Sequence, residues 1–156
     1  MNIAGLTNHI KYDDIFDRNT IDGKIQWCKI ACDPNLPVQF IDQYFGKLKP
    51  FGIEKLQKLD DYIINQHANE LNWYSLLKYQ FLSEQVLSEN LERLTKQNLW
   101  ALVLKTQKLS YEFLIDHIDS YKNDKRIIKA IKENAQLDDS IKFKILVLLD
   151  ICTFNN

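Results

Sequence analysis

Residues 79–87 read YQFLSEQVL, and 27 positions later residues 106–114 read TQKLSYEFL. A phrase of this kind, Leu then a small polar residue, two variable positions and an apolar residue, recurs from Leu6, Leu36, Leu59, Leu82, Leu109 and Leu137, at spacings of 30, 23, 23, 27 and 28. The copies at Leu82 and Leu109 have independent support. Trp73 and Trp100 each lie nine residues before them, as Trp27 does before Leu36, and Lys78/Lys105 and Gln80/Gln107 match in the same register. Gln57 precedes Leu59 as Gln80 precedes Leu82. A period of this length is the mark of a chain whose units bury their apolar faces on one another.

The phrase is a helix start. Thr7, Asp60, Ser83, Ser110 and Asp138 offer a side-chain oxygen to the free amides of a first turn. The preceding leucine is placed to pack on the residue five further on, which is Ile64, Leu87 or Leu114 in the central copies. At the second copy Pro37 cannot cap through a side chain, so Asn35 is expected to cap with Pro37 in the first turn. Asn72 and Asn98 read as caps of the intervening helices that carry the tryptophans.

All four glycines and all three prolines lie in the first 52 residues. The rest therefore reads as helices joined by polar turns. The expected fold is all-α, a single domain forming a small α-solenoid or compact helical bundle of degenerate αα-hairpin repeats of about 23–28 residues. Residues 1–52 form an irregular start, 53–137 the regular repeats and 138–156 an apolar C-terminal helix. Helices are expected over 7–17, 24–32, 37–47, 53–58, 60–69, 72–80, 83–95, 98–107, 110–121, 124–134 and 138–152.

Residues 50–115, and NWYSLLKYQFLSEQVL above all, resemble the short two-helix repeats of tailed-phage and giant-virus proteins, which join a Leu-Ser helix start to a Trp in the preceding helix. The resemblance implies a helical scaffold and carries no catalytic residues. A composition with 17 lysines against 3 arginines, 18 isoleucines and 13 asparagines is what AT-rich codons produce, and it fits such a source.

Twenty basic and 21 acidic side chains leave a net charge of −1, which supplies no global field for a polyanion or a membrane surface. Three cysteines are too few for a disulfide framework and suit a reducing cytoplasm. No segment has the length and apolarity of a membrane span, and the N-terminus lacks a secretory pattern.

Cys28 and Cys32 share a helix face and could supply half of a metal site, yet the other candidates, His9, His67, His117 and Cys152, are scattered. They read as small buried side chains beside Trp27 and Ile30. His117 between Asp116 and Asp119, and the Asp13/Asp14/Asp17 cluster, are the residues a small enzyme would use. No nucleotide loop or metalloprotease motif accompanies them, so neither catalytic residues nor a cofactor or metal is expected.

Lys122, Lys125, Arg126, Lys129 and Lys132 form the one basic cluster, over 122–132. It reads first as a solvated outer face; as a contact surface it suits an acidic protein ahead of a nucleic-acid-associated module, because only Tyr121 is at hand to stack on bases. The three tryptophans occupy one repeat position and read as core. Aromatics the repeat does not require, Tyr44, Tyr62, Tyr74, Tyr79, Phe81 and Tyr111, read as interface anchors. The expected function is non-enzymatic binding of another protein through Tyr74, Tyr79, Phe81, Tyr111, Lys125, Arg126 and Lys129. The setting expected is a phage product that sterically blocks a bacterial host or defence protein. The C-terminal helix is apolar around most of its circumference. It is expected to insert among the other helices, with a homodimer through it as the alternative.

Overall fold

The computed structural model describes residues 12–154, and side chains through residue 150. The phrase copy at Leu6 with Thr7, His9, and the side chains of Ile151 and Cys152 lie outside the described residues. The described chain is mostly helical, of the all-α class. It divides into two compact units, Met1–Lys58 and Leu59–Asn156. Among the described residues no helix is long and apolar enough to cross a membrane.

The first unit runs α1 (Asp13–Arg18), β1 (Thr20–Ile21), β2 (Lys24–Ile25), α2 (Trp27–Ala31), α3 (Val38–Gln43), α4 (Phe45–Leu48), a 3₁₀ turn (Lys49–Phe51) and α5 (Ile53–Leu56). The ribbon β1–β2 replaces the start of the helix expected from residue 24. Asp22 (φ 50°) and Gly23 (φ 70°) both take positive φ, the turn an Asp-Gly pair favours between two antiparallel strands. Ile30, Phe40, Phe45, Leu48 and Ile53 form the core. Trp27 is only half-buried, and with Tyr44 joins an aromatic cluster around Phe16 and Phe40.

The cysteines correct the sequence reading. Cys28 and Cys32 are both exposed, because Ile30 and Ala31 turn the buried side of α2 inward. Pro37 itself occupies the cap of α3 and no side chain caps it, so Asn35 does not fill that role.

The second unit contains α6 (Asp61–Gln66), α7 (Trp73–Tyr79), α8 (Glu84–Glu89), α9 (Leu91–Lys96), α10 (Trp100–Thr106), α11 (Tyr111–Asp116), α12 (Ile118–Tyr121), α13 (Ile127–Glu133) and α14 (Asp139–Phe154). Four phrase caps form as expected: Asp60, Ser83, Ser110 and Asp138 accept from the amides of Ile63, Val86, Phe113 and Ile141. Asn72 caps α7 through the Ser75 amide. Asn98 does not cap α10. It closes α9 in a left-handed conformation (φ 56°), and the Leu99 amide reaches back to the Leu94 carbonyl at 2.9 Å and the Asn98 amide to Thr95 at 3.0 Å, a Schellman turn.

The helices expected over 37–47, 83–95 and 110–121 are each broken eight residues after the phrase leucine, at Tyr44, Asn90 and His117. His67 ends α6 at the same offset. All four sit at φ −109° to −118° and ψ 10° to 20°. At Asn90 the cause is visible, since its side-chain amide donates to the Val86 carbonyl at 2.9 Å and competes with the helix ladder.

Burial follows the phrase: Leu59, Ile63 and Ile64, then Leu82, Val86 and Leu87, then Leu109, Phe113 and Leu114 are all buried. Trp73 and Trp100 are core as expected, each indole N–H bonded to an acceptor five residues back.

Buried amides tie these elements together. Gln107, wholly buried, donates to the carbonyls of Leu77 (2.8 Å) and Gln80 (3.0 Å) while its oxygen accepts from the Leu82 amide (2.8 Å). Asn134, also wholly buried, donates to Leu104 and Gln107 at 2.8 and 2.9 Å, and Gln80 accepts from the Leu59 amide at 2.9 Å. Within the first unit Gln57 does the same to Ala31 and Asp33. These side chains satisfy the free carbonyls that end each Trp-type helix, groups whose burial without partners is costly.

The helix α14 packs one face, Ile145 and Leu149, on α11 and α13. Phe143 is 69% exposed and Val147 42%, so this helix lies on the outside of its unit rather than among the others.

Candidate functional site

The site begins with the chain leaving α7. Gln80 is extended (ψ 152°), so successive side chains alternate: Gln80 turns to the Leu59 amide, Leu82 is buried, and Phe81 between them faces outward. The same alternation follows α10, where Gln107 and Leu109 are buried and Lys108 is exposed. Phe81 is 69% exposed and Tyr79 46%, and the register that exposes Phe81 is fixed by the Gln80 hydrogen bond to the Leu59 amide on one side and buried Leu82 on the other.

Helix α10 packs between α7 and α13, and their C-terminal ends meet like to like. Thr106 Oγ1 donates to the Leu77 carbonyl at 2.9 Å, and Lys105 Nζ donates to Glu133 Oε2 at 2.7 Å. A groove of about 270 Å³ opens across these ends. Leu77, Tyr79, Phe81, Lys105, Glu133 and Gln136 are among the residues that line it. The Lys105 hydrogen bond, with a smaller contribution from Lys129 at 3.7 Å, holds the Glu133 carboxyl below the usual carboxylate range. The groove therefore offers apolar and aromatic contact next to fixed charge.

The other residues expected to bind a partner do not gather here. Tyr74 is 57% exposed but lies in the first turn of α7, five residues before Tyr79 and so about 7.5 Å along the axis. Tyr111 is half-buried in the first turn of α11, with Lys144 of α14 over its ring at 5.3 Å. Its position corresponds to Asp61 and Glu84, whose carboxylates accept from Ser83 and Ser110. Lys129 is exposed beside Glu133.

Arg126 is engaged in the fold. It forms a forked ion pair with Asp124 at 2.6 to 3.1 Å and donates to Asn98 Oδ1 at 2.5 Å, bracing the left-handed turn. That pairing holds the Asp124 carboxyl below its ordinary range. Lys122 pairs with Asp119 at 2.7 Å, so much of the basic cluster is neutralised locally. Lys125 lines a second groove of about 390 Å³ with Lys122, Ile127, Ile128 and Leu149.

His117 packs edge-on against Phe113 at 4.6 Å and near Trp100 at 6.2 Å, while Asp13, Asp14 and Asp17 are exposed on α1. Among the described residues no three His, Cys, Asp or Glu side chains come together to hold a metal ion.

Lys105, Glu133 and Gln136 were not singled out from sequence. The signal for the lysine was present: Lys78, Lys105 and Lys132 stand 27 residues apart. Compared with known proteins, the chain matches no family model, no curated protein and no solved structure.

Proposed function

We propose that Leu59–Asn156 is a short stack of helical repeats that binds another protein through the groove at Tyr79 and Phe81 and acts by covering that partner's surface. The repeat reading is supported by the recurring caps, the break eight residues after Leu59, Leu82 and Leu109, the buried amides of Gln107 and Asn134 and the half-buried amide of Gln80. The observation that carries the binding reading is the exposure of two neighbouring aromatics lining a groove, in a register set by the Gln80 hydrogen bond to the Leu59 amide and by buried Leu82. Rigid aromatic side chains lose little entropy on binding and are the residues most often found as anchors of protein interfaces. The AT-rich composition supports a phage product acting on a bacterial protein as the setting. Local pairing of Lys122, Arg126 and Lys129 with acids supports protein over nucleic acid at the 122–132 face.

A photoreactive amino acid placed at position 81 in the source cells tests this, with position 62 as control because Tyr62 is 56% exposed on α6. We expect position 81 to capture a protein that position 62 does not, and Tyr79→Ala in the same chain to abolish capture. Identical products from both positions would refute the assignment.

A further inference from the structure

The near-zero net charge conceals a segregation by layer. Helices α7, α10 and α13 together carry four lysines, Lys78, Lys105, Lys129 and Lys132, and one acid, Glu133. Helices α6, α8 and α11 carry five carboxylates, Asp61, Glu84, Glu89, Glu112 and Asp116, and no base. Because α10 lies between α7 and α13 with like ends together, Lys78 and Lys105, each in the last turn of its helix, line the groove, and Lys132 takes the corresponding exposed place on α13, next in the chain to the groove residue Glu133. Lys108 adds to them from the exposed position of the linker after α10.

From these lysines we infer that the occupant of the groove is an acidic protein segment, an aromatic or large aliphatic side chain flanked by two or more carboxylates. The inference rests on the protein-binding reading of the groove and adds the partner's chemistry. The apolar anchor meets Leu77, Tyr79 and Phe81, and the carboxylates meet Lys78 in the groove and the exposed Lys132 beside Glu133. Lysines at helix C-termini are stabilised by the negative end of the helix dipole, so they are built into the fold at little cost. Glu133 decides between two kinds of anion. Held in the groove by Lys105 and Lys129, it takes up two of the lysines and sets a fixed negative charge where a phosphate chain would run. A few carboxylates on a peptide can step around that charge. A polyphosphate backbone, with a charge at every nucleotide, cannot.

The test is selection of a displayed library of random twelve-residue peptides on the full chain, with the selected peptides then measured individually. Phe81→Ala and the double variant Lys78→Glu/Lys132→Glu are surface changes, and circular dichroism verifies that both fold. We expect enriched peptides to combine an aromatic or large aliphatic residue with at least two acidic ones. The lysine reversals should weaken them about tenfold, and 500 mM salt should do the same, as charge pairs at an interface rim do. Enriched peptides that are neutral or basic, or that ignore the lysine reversals while remaining sensitive to Phe81→Ala, overturn the acidic partner and leave the groove in place. Peptides insensitive to Phe81→Ala, or a selection that enriches nothing, overturn both. A single-stranded oligonucleotide that binds as tightly, with the same dependence on Phe81, makes nucleic acid the ligand and overturns the inference.

Discussion

Replacing Gln107 with leucine keeps roughly the volume of the side chain and removes four hydrogen bonds, to the Leu77 and Gln80 carbonyls, Thr106 Oγ1 and the Leu82 amide, from a site that is 0% exposed. The Leu77 carbonyl keeps a partner in Thr106 Oγ1, but the half-buried Gln80 carbonyl loses this bond and the buried Leu82 amide loses its acceptor. Each orphaned buried group costs roughly 1–3 kcal/mol, and leucine recovers part of that in apolar contact, so we expect a loss of about 3 kcal/mol. The same replacement at the exposed Gln66 should change stability by less than about 0.5 kcal/mol.

The assay is urea unfolding followed by tryptophan fluorescence in a Trp27→Phe background, where Trp73 and Trp100 report on their own unit. Hydrogen exchange at the Leu82 amide should accelerate in step. Gln107→Glu sharpens the test, because a carboxylate there faces two carbonyl oxygens. Its native pKa is raised above the unfolded value of about 4.3, so it is tolerated when protonated and the deficit grows as pH rises above that value. A Gln107→Leu variant as stable as Gln66→Leu would refute the claim that this amide ties the helices together.

Ser110→Ala removes the cap on the Phe113 amide and the donor to Glu84, and should cost about 1 kcal/mol in the same unfolding assay. Ser110→Asp keeps a capping oxygen but sets it against the Glu84 carboxylate, so its stability should be lower at pH 7 than at pH 4. At Asn98, with φ 56°, alanine should cost about 1–2 kcal/mol and glycine less, since glycine loses only the bond from Arg126; equal losses would show that the turn geometry is unimportant. In a Cys152→Ser background both remaining thiols, exposed on α2 and at its C-cap, should react with a disulfide reagent without denaturant. Protection of either one would contradict its placement.

The parts of this fold that could be read from sequence are those set by local chemistry. Asp60, Ser83, Ser110 and Asp138 cap because a short oxygen three residues before a free amide suffices, whatever lies beyond. The helix breaks are hard to read from sequence because Tyr44, His67, Asn90 and His117 follow no single residue type, although at Asn90 the side chain bonds back to the Val86 carbonyl. The Asp22-Gly23 turn was legible, but two-residue strands leave no alternating pattern around it. Gln80 and Gln107 were visible as matching positions. Their inward hydrogen bonds were not, since a polar residue reads as surface until its backbone partners are placed. Asn134 does the same work from three residues before its leucine instead of two. At the candidate site, Tyr79 and Phe81 were recognised as aromatics the repeat does not need, whereas Tyr111 and Arg126 hold contacts to Lys144 and Asn98 that only the packed structure reveals.

Calorimetry with the protein captured at position 81 tests the central claim most directly, using the wild type, Phe81→Ala and Tyr62→Ala. Two exposed aromatics on different layers are truncated alike, so general stickiness cannot separate them. The groove predicts at least a roughly tenfold loss of affinity for Phe81→Ala, about 1.4 kcal/mol or more, and no change for Tyr62→Ala. Equal affinities for Phe81→Ala and wild type, or a loss confined to Tyr62→Ala, would contradict it.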